Sequence, residues 1–389
     1  MFRFLSLLTF LFVFAGVVGG AHYYLWTRWV RDPHVPTPWS QLATAVIVLA
    51  GVCMVAAPIL YRVVEGGWTQ PFIVSAYLWF GLAFYAVLLL VAADFLSWVS
   101  SAVQRFGDGP IVPERRLAMI RAFSASAAFG SALLTSLAAR GASAVPGVKR
   151  VSVHLDKLPT PLKGLRIVQL SDIHVGPTIG REFLEGVVDK VNALEPDVVV
   201  ITGDLVDGSV RELGDSVAPL KDLRARHGVF FSTGNHEYYS GVTPWMKFLP
   251  SLNVRVLRNE RVLLEHEGAR CYLAGVDDHT AGGFGVGHGP DYEQALAGID
   301  PNETVILLAH QPKQIEAATR VGVDLVLSGH THGGQLWPFG ALVRLAQPYV
   351  SGLHQHDERA QIYVSRGTGY WGPPMRLGAP AEITELILD

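Results

Sequence analysis

The chain contains little cysteine and little charge, and both shortages limit what the protein can be. Only two of its 389 residues are cysteines, Cys53 and Cys271, so the sequence supports neither a disulfide framework nor a zinc site built from cysteines. Charged residues make up 17% of the chain, hydrophobic residues make up 50%, and the mean hydropathy is +0.29. These proportions are unusually apolar for a soluble protein and indicate membrane-spanning segments.

The charge that is present is unevenly distributed. Residues 1–150 hold 11 Lys and Arg against 5 Asp and Glu, a formal charge of +6, whereas the remaining residues hold 20 against 29, a charge of −9. The acidic C-terminal part does not favour nucleic acid as a partner, because nucleic-acid binding depends on basic surface. We expect bound cations to offset part of its negative charge.

Four apolar runs lie in the N-terminal third, and each approaches the ~20 residues that a helix needs to cross a bilayer. They are Phe4–Trp26, Leu42–Tyr61, Phe72–Ala93 and, with more Ala and Ser, Met119–Ala139. The sequence therefore predicts a helical membrane domain with about four spans over residues 1–143. Because the middle of these runs carries no ionisable residue, we expect an anchor in the lipid bilayer rather than a transport pathway.

Processing and topology are left open by two features of this region. The first run has the composition of a signal peptide, although its apolar stretch is long for one. Arg115-Arg116 precede an apolar stretch that ends in Ala142-Ser143-Ala144, which is typical either of a degenerate twin-arginine export signal or of an ordinary pair of arginines beside a membrane. The flanking basic residues divide evenly between the two sides, so the positive-inside rule selects no orientation. The export interpretation favours an extracytoplasmic C-terminal domain.

Residues 144–162 contain three prolines and are predicted to be a linker, and residues 163–389 are predicted to form a second domain. There, strand-like runs such as Leu165–Leu170 and Asp197–Thr202 alternate with helical patterns such as Arg181–Leu194. This alternation predicts βαβ units and a largely parallel sheet, with ligands beyond the carboxyl ends of the strands. Three further runs lack helices between them and are predicted to be antiparallel: Val254–Leu257, Arg261–His266 and Arg270–Val276.

Five polar clusters follow predicted strands of this domain. Their carboxylate, amide and imidazole groups together suit Mn, Fe or Zn. Because the carboxyl ends of parallel strands meet at one edge of a sheet, we expect the clusters to form one metal site. They are Ser171-Asp172-Ile173-His174, Gly203-Asp204-Leu205-Val206-Asp207, Gly234-Asn235-His236-Glu237, His310 and Ser328-Gly329-His330-Thr331-His332-Gly333-Gly334-Gln335. For the last cluster taken alone, a Gly-rich turn with two solvated histidines is the alternative.

Taken together, the clusters resemble the motifs of the calcineurin-like metallophosphoesterases, and the resemblance covers roughly Leu165–Asp389. It implies a four-layer α/β/β/α fold, a site for two divalent metal ions and hydrolysis of phosphate bonds. With its N-terminal membrane domain, the chain is similar to a bacterial membrane-anchored branch that includes YkuE- and YaeI-type proteins and enzymes cleaving UDP-2,3-diacylglucosamine. Arg366-Gly367-Thr368-Gly369 also fits that branch, but Ala381-Glu382-Ile383 stands where Pro-Glu-Ile is usual.

The resemblance also implies a role for each polar residue. One ion would take Asp172, His174, Asp204 and His332, and the other would take Asp204, Asn235, His310 and His330. A shared anionic ligand, here Asp204, limits the repulsion between two ions about 3.5–4 Å apart. His236 would act at the leaving oxygen while Asp207 holds its tautomer, although Asp207 is also suited to capping a helix. Arg366 and Arg376 would clamp a phosphate, with surface ion pairs as the alternative.

These features predict a membrane-anchored, metal-dependent enzyme that hydrolyses phosphoester or pyrophosphate bonds. Tethering favours a lipid-linked or cell-envelope substrate, because it raises the effective concentration of molecules in the same plane. The predicted partners are the lipid bilayer and a small-molecule or lipid phosphate, and the predicted location is the plasma membrane of a bacterium. The alternative is a non-catalytic, metal-stabilised membrane scaffold or sensor, which a degenerate site would favour. Every predicted ligand position is filled.

Overall fold

The computed structural model describes residues 2–63, 69–104, 113–285 and 287–389. The chain divides into two compact units. The membrane unit comprises Met1–Ala139 and Gly372–Met375, and the catalytic-motif unit comprises Arg140–Trp371 and Arg376–Asp389. Each unit has its own helices or sheets and is described by itself.

Long helices make up the membrane unit. They are α1 (Phe2–Trp26), α2 (Trp39–Val63), α3 (Gln70–Gln104) and α4 (Pro113–Ala142), whose last residues belong to the other unit. Among the residues that the structure describes, three helices are long and apolar enough to span a membrane: Trp39–Leu60, Gln70–Val99 and Glu114–Ala142.

Three of the four predicted spans are therefore confirmed among the described residues, and the run Phe4–Trp26 is not one of them. Helix α1 covers the predicted run Phe4–Trp26, but it is not among the three, and the side chains of residues 1–8 and 10 lie outside the described part. The Ala- and Ser-rich run Met119–Ala139 does lie in a candidate span. Its helix begins at Pro113 and ends at Ala142, so it extends beyond the predicted apolar run at both ends.

The carboxylate of Asp94 lies inside a candidate span, because α3 continues beyond the predicted end at Ala93. Asp94 accepts a hydrogen bond of 2.6 Å from the hydroxyl of Tyr24 and another of 2.6 Å from Nη2 of Arg28. Arg28 and Asp94 thus neutralise each other close to the end of the span. Paired charges of this kind fit an anchor better than an ion pathway.

The catalytic-motif unit contains twelve strands and seven helices among its described residues. The strands are β1 (Gly147–Val153), β2 (Arg166–Leu170), β3 (Val198–Thr202), β4 (Val229–Ser232), β5 (Val254–Val256), β6 (Glu260–His266), β7 (Ala269–Gly275), β8 (Thr304–Leu308), β9 (Leu325–Ser328), β10 (Gly352–Gln355), β11 (Gln361–Val364) and β12 (Glu382–Leu388). The helices are α5 (Arg181–Asn192), α6 (Val210–Val217), α7 (Asn235–Ser240), α8 (Val242–Phe248), α9 (Tyr292–Leu296), α10 (Ile315–Arg320) and α11 (Gly340–Ala346).

The strands form two six-stranded sheets of mixed direction. The order in the first sheet is β1-β12-β2-β3-β4-β5, and the order in the second is β10-β11-β9-β8-β7-β6. The predicted alternation of strands and helices is confirmed for β2, β3 and β4, which are parallel neighbours. β8 and β9 are parallel neighbours in the second sheet. Five carboxyl ends of parallel strands are therefore available to build a site.

Two expectations about local structure need correction. The segment 144–162, predicted to be a linker, contains β1, which pairs in parallel with β12 over the register Gly147↔Glu382 to Val153↔Leu388. Of the three runs predicted to be antiparallel, only β6 and β7 pair that way. β5 extends the first sheet in parallel with β4. Both errors concern which strands pair with each other, and hydrophobic patterning does not reveal that.

Three apolar clusters show how the sheets are covered. One contains Ile167 and Val200 from the first sheet together with Ile306 and Leu327 from the second, so a face of each sheet contributes to a common core. A second cluster joins the first sheet to α5 and α8, where Trp245 is fully buried. A third joins the second sheet to α9 and α10. Helices thus cover an apolar face of both sheets.

Candidate metal centre

The loops that follow β2, β3, β4, β8 and β9 carry the predicted metal ligands, and six of these seven residues fall into two groups of ligand atoms. Gln169 on β2 donates a hydrogen bond of 3.0 Å from Nε2 to the carbonyl oxygen of Ser328 on β9, which ties the two sheets at this edge. Five ligand candidates have a positive φ between 51° and 70° although none is glycine: Asp172, His174, Asp204, His330 and His332. Such conformations persist only where surrounding contacts enforce them, and they are common at functional sites.

Glycines in the same loops permit the close approach of neighbouring strands' ends. A Cβ on Gly234 would lie 2.2 Å from Oδ1 of Asp204, and one on Gly329 would lie 2.1 Å from Oδ2 of Asp172. Both positions exclude any side chain. Glycine is therefore required at these two motif positions, because only a residue without a side chain lets a carboxylate lie this close to the backbone.

A first group of ligand atoms consists of Asp172, His174 and His332, which lie within 4.8 Å of one another and are buried. Nε2 of His332 is 3.4 Å from Oδ1 of Asp172 and 3.2 Å from Nε2 of His174. The backbone N–H of His330 donates to both oxygens of Asp172, at 2.9 and 3.0 Å. Asp172 is thereby fixed by the loop that supplies His332.

A second group consists of Asp204, His310 and His330, again within 4.8 Å. Oδ2 of Asp204 lies 3.1 Å from Nε2 of His310 and 3.8 Å from Nε2 of His174. This carboxylate therefore borders both groups, as the prediction of a shared ligand requires. Nδ1 of His310 lies 2.8 Å from the carbonyl oxygen of Thr202 and donates to it, so that Nε2 carries the lone pair in the neutral ring.

Oδ1 of Asn235 has no hydrogen-bond partner among the described residues, and Nε2 of His310 has only its ion-pair contact of 3.1 Å with Oδ2 of Asp204. Leaving buried polar atoms unpaired costs about 1–3 kcal/mol each, so native structures rarely contain them without a reason. Both are atoms that would ligate a metal in the predicted scheme. The donor set of carboxylate, amide and imidazole, with its orphaned amide oxygen, fits divalent cations.

The surroundings determine how protons compete with a cation for the imidazoles. Burial, reinforced by the charge of His310, lowers the pKa of His330 to about 3, so this ring is neutral and able to coordinate. Burial also opposes a charge on His310, but the adjacent Asp204 carboxylate outweighs it and raises the pKa of His310 well above its usual value. A cation beside Asp204 would replace that proton, since the ligand form of imidazole is the neutral one.

Asp207 holds two imidazoles at once. Its Oδ1 lies 3.0 Å from Nδ1 of His174 and 2.5 Å from Nδ1 of His236. Burial opposes the charge of Asp207, but these two histidines keep the pKa of Asp207 well below its usual range. The ionised carboxylate accepts a hydrogen bond from Nδ1 of each ring, which leaves Nε2 of His174 and Nε2 of His236 directed away from Asp207. Asp207 does not cap α6, whose first-turn hydrogen bonds involve Ser209 and Glu212.

His236 stands at the rim of the centre. Its side chain is 16% exposed, and its Nε2 is 4.0 Å from Oδ2 of Asp204. Burial would lower the pKa of His236, but the carboxylates of Asp204 and Asp207 outweigh burial and raise it to about 9. The ring is therefore placed and protonated as a proton donor needs to be.

Of the two arginines predicted to clamp a phosphate, Arg376 is buried and only Arg366 is partly exposed. Arg376 is 2% exposed, and its Nη1 donates to the carbonyl oxygens of His332, Arg366 and Ala379 at 2.9, 2.7 and 3.1 Å. It also donates to Gly369 and lies 3.0 Å from Nδ1 of His332. Arg376 is thus neither a surface ion pair nor open to substrate; it binds loops together behind the centre. The side chain of Arg366 is 31% exposed, 3.9 Å from Glu382, and stays a candidate phosphate contact.

Sequence patterns did not identify three further residues of this region. Glu237 is fully buried and accepts hydrogen bonds from the backbone N–H groups of Asp204, Leu205 and Gly234 at 3.0, 2.8 and 2.6 Å, which shapes the turn that presents Asp204. The rings of Tyr239 and Trp371 lie 5.3 and 6.0 Å from that of His236 and are 55% and 56% exposed. In the sequence, the one indication of a role at this site was the position of Tyr239, three residues after His236.

Comparison with known proteins agrees with this geometry. A family profile described as calcineurin-like phosphoesterase matches residues 165–334. The chain is 41% identical over 367 residues to a bovine (Bos taurus) transmembrane protein with metallophosphoesterase domain, covering 90% of this chain and 80% of that protein. It is 46% identical over 244 residues to an uncharacterized metallophosphoesterase of Helicobacter pylori, covering 62% and 64%. It is 33% identical over 239 residues to the uncharacterized metallophosphoesterase YkuE of Bacillus subtilis, covering 59% and 81%.

Proposed function

Because this chain belongs to the calcineurin-like metallophosphoesterases, we propose that it hydrolyses phosphoester or phosphoanhydride bonds with two divalent ions, Mn, Fe or Zn. The observation that carries the proposal is the position of Asp204, whose Oδ2 is 3.1 Å from His310 and 3.8 Å from His174. One carboxylate between two groups of ligand atoms is the arrangement that a pair of cations needs.

The ligand roles follow from these groups. Asp172, His174 and His332 would hold one ion and Asn235, His310 and His330 the other, with Asp204 contributing to both. Divalent ions here would supply Lewis-acid activation of the phosphoryl group and of a water molecule. The orphaned Oδ1 of Asn235 and the neutral ring of His330 support their assignment as ligands.

The chain's own catalytic contribution is proton transfer by His236. Its Nδ1 donates to Asp207, which leaves Nε2 to donate a proton to the leaving oxygen. Asp207 acts by holding the ring and its tautomer, and by stabilising the charged form. Arg366 would contact a nonbridging phosphate oxygen. The rings of Tyr239 and Trp371 would border the leaving group beside His236.

The wider setting of the activity is also a proposal. The three apolar clusters support a four-layer α/β/β/α arrangement of the catalytic-motif unit. The three candidate spans support a lipid-linked or envelope substrate, because a tethered enzyme meets membrane-bound phosphates at high effective concentration. The transmembrane relative and the three candidate spans support a membrane location, which we propose to be a bacterial plasma membrane. The degenerate twin-arginine sequence supports an extracytoplasmic catalytic unit.

The test uses the full-length chain in detergent with bis(p-nitrophenyl) phosphate as substrate. After chelation, Mn, Fe or Zn is added back, and hydrolysis is compared among the wild type, Asp204→Asn and Asp215→Asn. We expect metal to restore hydrolysis in the wild type and in Asp215→Asn, which changes an exposed aspartate on α6 in the same way. Asp204→Asn should bind less metal and lose activity, because it loses the shared negative ligand.

The outcomes separate the enzyme from a scaffold and a lipid substrate from a soluble one. Full loading with metal and no hydrolysis of any phosphate would favour the non-catalytic scaffold or sensor. For the substrate class, the rate on bis(p-nitrophenyl) phosphate is compared with that on UDP-2,3-diacylglucosamine in the same detergent. A far higher kcat/KM for the soluble diester would contradict the lipid part of the proposal.

A further inference from the structure

Residues 337–345, the apolar segment, expose a row of large apolar side chains. Trp337 is 69% exposed, Phe339 46%, Leu342 59% and Leu345 85%. The segment includes most of α11, in which no residue is buried. A helix of a globular domain normally buries one apolar face. This one buries none of its residues, and contiguous exposed apolar surface of this kind marks a binding surface.

The apolar segment is held in place at both ends. The backbone N–H of Trp337 donates to the carbonyl oxygen of Leu377 at 2.8 Å, and that of Leu377 donates to Gln335 at 2.9 Å. Beyond the segment, Oγ1 of Thr331 donates to the carbonyl oxygen of Val350 at 2.6 Å. Thr331 lies between two predicted metal ligands. The exposed side chains are therefore displayed by a fixed loop that is joined to the metal centre.

Composition indicates what covers this surface. Between residues 337 and 351 the sole charged residue is Arg344, although residues 151–389 carry a formal charge of −9. Trp, Phe and Leu around an isolated basic residue are typical of segments that lie in the interface of a lipid bilayer. The same chain also carries three helices long and apolar enough to span a bilayer.

A groove adjoins the apolar segment. Its volume is about 610 Å³, and its lining includes Trp337, Ala341, Arg344 and Leu377. The lining extends to Gly333, the residue that follows His332. This volume falls within the range of small-molecule sites, and the mixture of apolar walls with one cationic side chain suits a lipid with an anionic head.

We propose that the apolar segment docks into the interface of a lipid bilayer and that the groove beside it receives a lipid from that bilayer. Leu342, Leu345, Phe339 and Trp337 enter the apolar boundary, and Arg344 contacts anionic headgroups. The docking itself does not depend on the reaction. Its use in delivering a lipid-linked phosphate to the metal centre rests on the proposed function.

The experiment places a fluorescent label on the full-length protein in nanodiscs of phosphatidylcholine and phosphatidylglycerol, where both bilayer faces are accessible. Leu345→Cys is made in a Cys53→Ser background and labelled with bimane. Cys271 stays unlabelled because it is fully buried. Leu263→Cys is the matched control, since Leu263 is a 44% exposed leucine on β6 of the same unit. Quenching by nitroxide-labelled phosphatidylcholine is compared with quenching by aqueous iodide.

We expect lipid nitroxide to quench the label at position 345 several-fold more than the label at 263, and iodide to show the opposite order. Equal iodide quenching at both positions would overturn the proposal. Protection from iodide without quenching by lipid would also overturn it, and would identify a second copy of the chain as the occupant. Hydrolysis of bis(p-nitrophenyl) phosphate by the same nanodiscs reports the proposed function separately, so either idea can fail without the other.

A charge variant tests the headgroup contact. Arg344→Gln should reduce lipid quenching at position 345 in discs that contain phosphatidylglycerol and leave it unchanged in discs of phosphatidylcholine alone, because only the anionic lipid attracts Arg344. An equal effect in both kinds of disc would show that the arginine does not recognise lipid charge. Arg320→Gln, on α10 of the same unit, is the control for a lost positive charge.

Discussion

Oδ1 of Asp207 lies 2.5 Å from Nδ1 of His236 and, at the same time, 3.0 Å from Nδ1 of His174. One carboxylate thus orients a metal-ligand candidate and a proton-donor candidate. The sequence suggested only the contact with His236. Because Asp207 contacts both rings, a change at Asp207 should affect metal affinity and proton transfer together. A change at His236 should affect proton transfer alone.

His236→Gln should retain its metal ions and lose rate. Glutamine keeps a polar side chain at the rim but cannot donate a proton as imidazolium does, so we expect kcat to fall by about 10²–10⁴. Metal content by atomic absorption and kcat on bis(p-nitrophenyl) phosphate are the measurements. Full activity in the metal-loaded variant would remove His236 from the reaction.

Asp207→Asn should impair both the binding of metal and the rate of the reaction. Loss of the charge that orients His174 should weaken binding of metal by about 10–100-fold, in addition to slowing the reaction. Titration of the chelated protein with Mn, followed by activity, measures this. The assignment is wrong if Asp207→Asn binds Mn as tightly as His236→Gln does.

Arg376→Met should destabilise the protein, because it leaves several buried carbonyl groups without a donor. Each such loss costs about 1–3 kcal/mol, so we expect a total near 3–5 kcal/mol. Arg366→Met is the matched control, since its side chain is 31% exposed and a surface change is usually within about 0.5 kcal/mol. The midpoint of thermal unfolding of the metal-free proteins measures the difference. A substrate clamp would instead raise KM and leave the midpoint unchanged.

Trp371→Ala should raise KM for bis(p-nitrophenyl) phosphate several-fold with little change in kcat, because its ring borders His236 at 6.0 Å and is exposed to an aromatic leaving group. Trp337→Ala is the control, since Trp337 is also exposed but belongs to the apolar segment. Steady-state kinetics of both variants decide the matter. Equal KM values would mean that the Trp371 ring does not contact the substrate.

The thiol of Cys271 should be inert in the folded protein below about pH 11. Burial, with a smaller contribution from Glu303, raises the pKa of Cys271 from its usual value of 9.0 to about 12. The thiolate is the reactive form of cysteine. With this pKa, only about one part in 10³ of Cys271 is thiolate at pH 9. In a Cys53→Ser background, maleimide should label the protein at pH 9 only after unfolding. Rapid native labelling would contradict the burial of β7.

Much of the centre was predictable because its signals are local. A short apolar run that ends in glycine and then in Asp, Asn or His indicates a strand followed by a tight turn, and such patterns placed Asp172, Asp204, Asn235, His310 and His330 at strand ends. Inferring that these residues lie close together requires only that parallel strands end at the same edge of a sheet. The family resemblance then supplied their grouping.

Contacts between distant parts of the chain were not predictable in the same way. Strand β1 pairs with β12 more than 200 residues later, and its alternation of exposed and part-buried residues gave no strong apolar signal. Arg376 looks like any cationic residue in the sequence, and only packing shows that its donors face backbone carbonyls.

The sequence by itself determined the chemistry of this protein: which side chains are available as ligands, where strands end, and that its N-terminal third is apolar enough for a membrane. These are properties of residue type and short-range periodicity. The tertiary structure decided which ligand candidates lie together, that Asp207 contacts two histidines, that Arg376 is buried, and that large apolar side chains of residues 337–345 are exposed. Those facts depend on distances between residues far apart in the chain, and only the folded arrangement of the sheets sets such distances.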